Sequence, residues 1–169
     1  MDIVMIALRL IHVFGGVFWV GGALYVAFVI IPSLNATAES GQKVLGYIMT
    51  QSKSTMLMMT ASISTVTAGF FLYGIDSSWF TSQWMTAGAG VGFAVGGIFG
   101  LIGFIAGLMV PATGKAIGRV VAQIKGAPTP EQQAQMTALR KRQMLISRVN
   151  AISLIVATVL MATARYLRF

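Results

Sequence analysis

The chain has 169 residues, 56% of them hydrophobic and only 9% charged, with a formal net charge of +8 and no cysteine. An ordinary soluble domain carries about 25% charged residues, so this is the composition of a membrane protein of one domain and a few spans. The missing thiols exclude disulfides, thiolate metal sites and cysteine nucleophiles. The four acids Asp2, Glu39, Asp76 and Glu131 all avoid the middle of an apolar run, which argues against paired-carboxylate chemistry or a carboxylate proton relay at depth.

Four apolar runs follow in chain order, each meeting the roughly 20 residues a spanning helix needs. The first extends from Ile3 to about Pro32. It is too long for a signal-peptide core and no small-residue cleavage site closes it, so it is expected to stay as a span. The segment Pro32 to Asn35 ends this helix, and the next is expected to start near Thr37 or Glu39. The second run covers Thr55 to Ile75, followed by a short loop with Asp76, no Lys or Arg, and the interface aromatics Tyr73, Trp79 and Trp84.

The third run extends from about Trp84 to Val110 and can continue past Pro111 toward Lys125, with a kink at the proline. Gly126-Ala127-Pro128 makes a turn. Thr129-Pro130-Glu131 is a helix start: a cap, a proline at the first position, then an acid. The fourth run, about Met144 to Ala164, is therefore expected inside a helix from Pro130 to about Arg168. The predicted fold is all-α. It is an integral membrane four-helix bundle, one transmembrane domain over residues 1–169, with spans at about 3–32, 55–75, 84–110 and 144–164. A cytoplasmic helical hairpin covers about 111–143.

Charge orients this bundle. The first and third loops with their helix ends carry nine cations: Lys43, Lys53, Lys115, Arg119, Lys125, Arg140, Lys141, Arg142 and Arg148. The other side carries three, Arg9, Arg165 and Arg168. Nine against three predicts an inner (plasma) membrane protein with both termini outside. The basic residues flank apolar runs, so they mark topology and not nucleic-acid binding. The cluster Arg140-Lys141-Arg142 reads as a topology signal with attraction to anionic lipid, ahead of a specific protein partner.

His12 is the only histidine and sits about 14 Å into the first run, near the middle of a hydrocarbon layer about 30 Å thick. Ionisable groups at that depth are functional candidates. At 100° per residue, Met5, Leu8, Arg9, His12, Gly15, Gly16, Trp19 and Ala23 share one face. Gly15 and Gly16 leave room for a haem edge or for a close helix. The candidate cofactor-binding set is therefore His12, Arg9, Gly15, Gly16 and Trp19, with His12 as axial haem or copper ligand and Arg9 placed to balance a propionate. The competing reading is a histidine that bonds a neighbouring helix and serves packing.

Gly88, Gly92, Gly96 and Gly100 recur every fourth residue on the third run, and Gly103 and Gly107 extend that smooth face. Such spacing lets helices approach closely in lipid. It is expected to pack a helix, and it could dock a second copy or a partner membrane subunit. Met56, Met58 and Met59 are soft ligands by chemistry, but gap-filling is the stronger reading. Thr60, Ser64 and Thr67 form a hydroxyl stripe, and Ser147 with Asn150 makes a similar pair; interhelical hydrogen bonds are the expected use.

Leu8-Arg9-Leu10-Ile11-His12-Val13, then Trp19-Val20-Gly21-Gly22 and Pro32, resembles the opening helix of CopD-like membrane domains, the family of the copper-resistance protein D. Arg148-Val149-Asn150 with Met161-Ala162-Thr163-Ala164-Arg165-Tyr166 resembles the closing helix of its small four-helix relatives. The resemblance implies a membrane bundle linked to copper handling. A more remote likeness, a histidine before a tryptophan in the first helix, is to HemJ-type protoporphyrinogen oxidases and implies haem. The single histidine departs from both patterns. Bis-histidine haem b would need a dimer sharing one cofactor; otherwise ligation is His/Met, five-coordinate or absent. Three readings result: a haem- or copper-binding protein of electron transfer or copper handling, a cofactor-free transporter or channel, and a structural subunit of a larger membrane complex.

Overall fold

The computed structural model describes residues 3–37, 40–41, 43–44, 47–48 and 53–169. The start expected at Glu39 lies outside the described residues. Helix α1 (Ile3–Tyr25) passes through a π turn (Val26–Ile30) into α2 (Ile31–Ala36) without a break in direction of the chain. The π turn has a local cause. Pro32 has no N–H to return to the carbonyl four residues back, and its ring crowds that carbonyl. The backbone widens, and the Ile31 N–H reaches the Val26 carbonyl instead. Three longer helices follow: α3 (Ser54–Asp76), α4 (Gly88–Gln123) and α5 (Pro130–Thr163). No strand occurs among the described residues.

Helix α4 continues through Pro111. Helix α5 starts on a reciprocal cap: Thr129 Oγ1 accepts from the Gln132 N–H at 3.3 Å, and Gln132 Oε1 accepts from the Thr129 N–H at 3.0 Å. Four helical stretches, Ile3–Ala36, Ser54–Asp76, Gly88–Gln123 and Pro130–Tyr166, are long and apolar enough to cross a membrane.

The helices alternate in direction, so Ile3, Phe169 and the α3–α4 turn share one end. The other, basic end holds the Gly126 turn. The dominant packing pairs are α1 with α3 and α4 with α5, and thinner contacts join the two pairs. They meet at a core of Trp19, Ala23 and Leu154, backed by Val20, Met58, Ala61, Val66 and Phe104. The α3–α4 turn is unusual. Ser78, Trp79 and Phe80 take left-handed φ values of 51°, 55° and 70°. Bonds from Trp79 N–H to the Gly74 carbonyl (2.6 Å) and from Phe80 N–H to Ser77 Oγ (3.1 Å) hold the turn. Ring contacts of Phe71 with Trp79 and of Phe70 and Tyr73 with Phe80 cover it.

Candidate functional site

Helix α1 turns His12, Gly15, Gly16, Trp19 and Gly22 toward its neighbours, and the glycines let α3 come close. A methyl group on Gly15 would lie 2.6 Å from Thr65 Oγ1 and 3.3 Å from Ser64 Oγ. One on Gly22 would lie 2.6 Å from Met58 Sδ. Helix α3 reciprocates at Gly69, where a methyl would meet His12 Cε1 at 2.7 Å and Nδ1 at 2.9 Å. The half-buried imidazole thus occupies the space a side chain at Gly69 would take.

The hydrogen bond of this ring defines its chemistry. His12 Nδ1 lies 2.8 Å from the Thr65 carbonyl. A carbonyl only accepts, so Nδ1 carries a proton and donates it. In the neutral ring Nε2 then presents its lone pair. Nε2 has no hydrogen-bond partner among the described residues. This arrangement, one ring nitrogen held by a backbone carbonyl and the other left as a donor pair, is how metal-ligating histidines are oriented. Thr65 Oγ1 is also buried and unpartnered among the described residues.

The other expected site residues separate. Gly15 and Gly16 border α3 and not open space. Trp19, 5% exposed, packs edge-on against Phe104 with ring centroids 6.1 Å apart, as part of the core. Arg9 is exposed and makes no ion pair among the described residues. Met58 packs near Gly22, ten residues beyond His12 and so about 15 Å along α1, while Met56 and Met59 are exposed. Among the described residues no three His, Cys, Asp or Glu side chains gather as a metal site.

Two expectations about polar residues change. Thr60 and Thr67 are exposed, and the buried hydroxyls of α3 are Ser62 and Thr65, with Ser64 half-buried. Ser62 and Ser64 donate back to Met59 and Ala61 of their own helix, both at 3.0 Å, and Ser147 does the same to Gln143 at 2.8 Å. A hydroxyl on a helix reaches its own preceding carbonyl more easily than a neighbour's. Of the residues expected to bond across helices, Asn150 does so, donating from Nδ2 to the Gly103 carbonyl at 2.6 Å.

The glycine face of α4 is covered from within the chain. Methyl groups on Gly92, Gly96 and Gly103 would lie 2.9 Å from Ala164 Cβ, 2.9 Å from Met161 Cγ and 2.7 Å from Leu154 Cδ2. Gly97, Gly100 and Gly118 have nothing within 4 Å and are the glycines this helix leaves open. Sequence reasoning missed Gly69 and Thr65. Their signal was a glycine one turn after a threonine at mid-helix, the notch into which a side chain from another helix can fit. No protein-family model, curated protein or solved structure matches the chain.

Proposed function

We propose that this chain is a multi-pass inner-membrane protein, with both termini outside, that binds a metal through Nε2 of His12 and serves copper handling or electron transfer. The carrying observation is the Nδ1–H bond to the Thr65 carbonyl, which orients the ring and leaves Nε2 as the nitrogen free to ligate. Copper now stands ahead of haem b. The haem expectation leaned on free space at Gly15 and Gly16, and α3 fills that space. A metal ion needs only the donor atom and an approach, and imidazole suits copper. The likeness to CopD-like domains points the same way.

The test compares wild type with His12→Gln, both purified in detergent, by elemental analysis for copper and by visible absorption. Wild type is expected to retain copper and the glutamine variant to lose it. A Soret band restricted to wild type moves the assignment to haem. Equal metal and equal spectra in both proteins would falsify the site. Orientation has its own test: with cysteine at Thr129, an impermeant thiol reagent outside intact cells is expected to leave the protein unlabelled, and labelling reverses the topology.

A second reading rests on the same ring. His12 fills the notch at Gly69 and bonds a backbone carbonyl, which is also how a residue locks two helices together. Under that reading the glutamine variant loses stability while no metal is found in either protein, and the chain is a structural subunit.

A further inference from the structure

At the basic end, α4 and α5 flank a half-open cavity of about 180 Å³ lined by Met109, Ala112, Thr113, Ala116, Leu139 and Arg142. Its level in the fold follows from length. Counting 1.5 Å per residue from Gly88, a hydrocarbon layer about 30 Å thick ends near Leu108. Counting back from Ala164 on α5, the same thickness ends near Met144. The cavity therefore begins where acyl chains give way to headgroups.

Its lining is divided by chemistry. Met109, Ala112, Ala116 and Leu139 are apolar. The Thr113 hydroxyl is already used, donating to the Met109 carbonyl at 2.9 Å. Arg142 is the one charged group in the lining. Among the described residues no carboxylate balances it. Glu131, the one described acid on this side, lies eleven residues earlier on the same helix, about 16 Å away along its axis. Asp76 is at the opposite end of the bundle.

We propose that this cavity is a binding site for one anionic phospholipid, its phosphate paired with the Arg142 guanidinium and an acyl chain leaving past Met109. A guanidinium matches phosphate with two parallel hydrogen bonds, and basic pockets between helices at this level suit anionic headgroups. The occupant is a lipid and not a free anion because four of the six lining residues are apolar and Met109 stands next to the counted acyl boundary. This site is independent of His12.

The experiment uses the full chain in detergent, with phosphatidylglycerol, phosphatidylcholine and inorganic phosphate as separate probes. Native mass spectrometry counts retained lipid, and the unfolding midpoint reports stabilisation. Phosphatidylglycerol is expected to be retained about fivefold over phosphatidylcholine, and Arg142→Gln to remove that preference. Ala112→Leu, which fills the cavity and leaves every charge in place, is expected to reduce retention as well. Lys141→Gln, outside the lining, is expected to change retention by less than about twofold. Equal retention of the two lipids overturns the proposal. So do equal losses from Arg142→Gln and Lys141→Gln, which would mean diffuse surface charge. Stabilisation by inorganic phosphate alone would assign the site to a free anion. If Arg142→Gln does not fold, unchanged retention in Ala112→Leu is enough to reject the site.

Discussion

The two helix pairs solve the same packing problem with different materials. In α4 and α5 the close approach is made by volume: glycines on one helix receive Leu154, Met161 and Ala164 from the other, and one amide bond from Asn150 crosses between them. In α1 and α3 it is made by polar groups fitted into glycine notches: His12 over Gly69, and Thr65 and Ser64 against Gly15. Burial differs most between the first and last helices, with the two middle ones equal at 17%. In the most apolar stretch of the first helix 6% of residues are buried, against 39% in the last. The α4–α5 pair is the scaffold. The α1–α3 pair, thinner and carrying the one imidazole, is where specific chemistry can be placed without dismantling the fold.

The largest test of this contrast is steric. Gly103→Leu drives a branched side chain into Leu154 and is expected to lower stability by about 1–3 kcal/mol, with Gly100→Leu, which meets nothing, close to wild type. Thermal unfolding in detergent followed by circular dichroism measures both. Similar losses at the two positions would show that the open side of α4 is packed too, and the scaffold would then reach beyond one chain.

A smaller effect is expected at Gly69→Ala. The added methyl displaces the imidazole and breaks its bond to the Thr65 carbonyl, at a cost of about 1 kcal/mol. The variant should also lose any metal held by His12, so stability and metal content are read on one sample. Wild-type metal content after this change would separate the ligand role from the Gly69 notch. Smallest of all is Thr65→Val. It removes a buried hydroxyl that has no partner among the described residues, and the isosteric swap should leave the unfolding midpoint unchanged or slightly raised. A loss above about 1 kcal/mol would reveal a buried water or other partner on that hydroxyl.

The helical class and the four long apolar helices could be read from the chain because a spanning backbone must satisfy itself, and run length reports that directly. Capping is equally local, which is why Thr129-Pro130 carries its own start signal. Facing is not local. On α3 nearly every residue is small or apolar, so hydrophobic periodicity offers no contrast between lipid and core. The stripe Thr60, Ser64, Thr67 and the observed inward face of Ser62 and Thr65 could not be told apart on pattern. Its position drew attention to His12, but its partners could not be inferred, because Thr65 and Gly69 are more than fifty residues away. The π turn before Pro32 is intermediate: the proline announces a disturbance, and the backbone chooses between a kink and a widened turn.

The turn at Ser78, Trp79 and Phe80 has a consequence for how the chain can be engineered. Three successive non-glycine residues in a left-handed conformation cost about 1–2 kcal/mol each, and rings and hydrogen bonds from the end of α3 and from Ser77 hold them there. The end of α3 and this turn are therefore one unit, and a tag or fused domain placed there would prise the rings apart. The opposite turn, where Gly126 takes φ 92° with nothing within 4 Å, has no such network to lose. That tip is where foreign sequence can be spliced into this protein while the helices on either side stay folded.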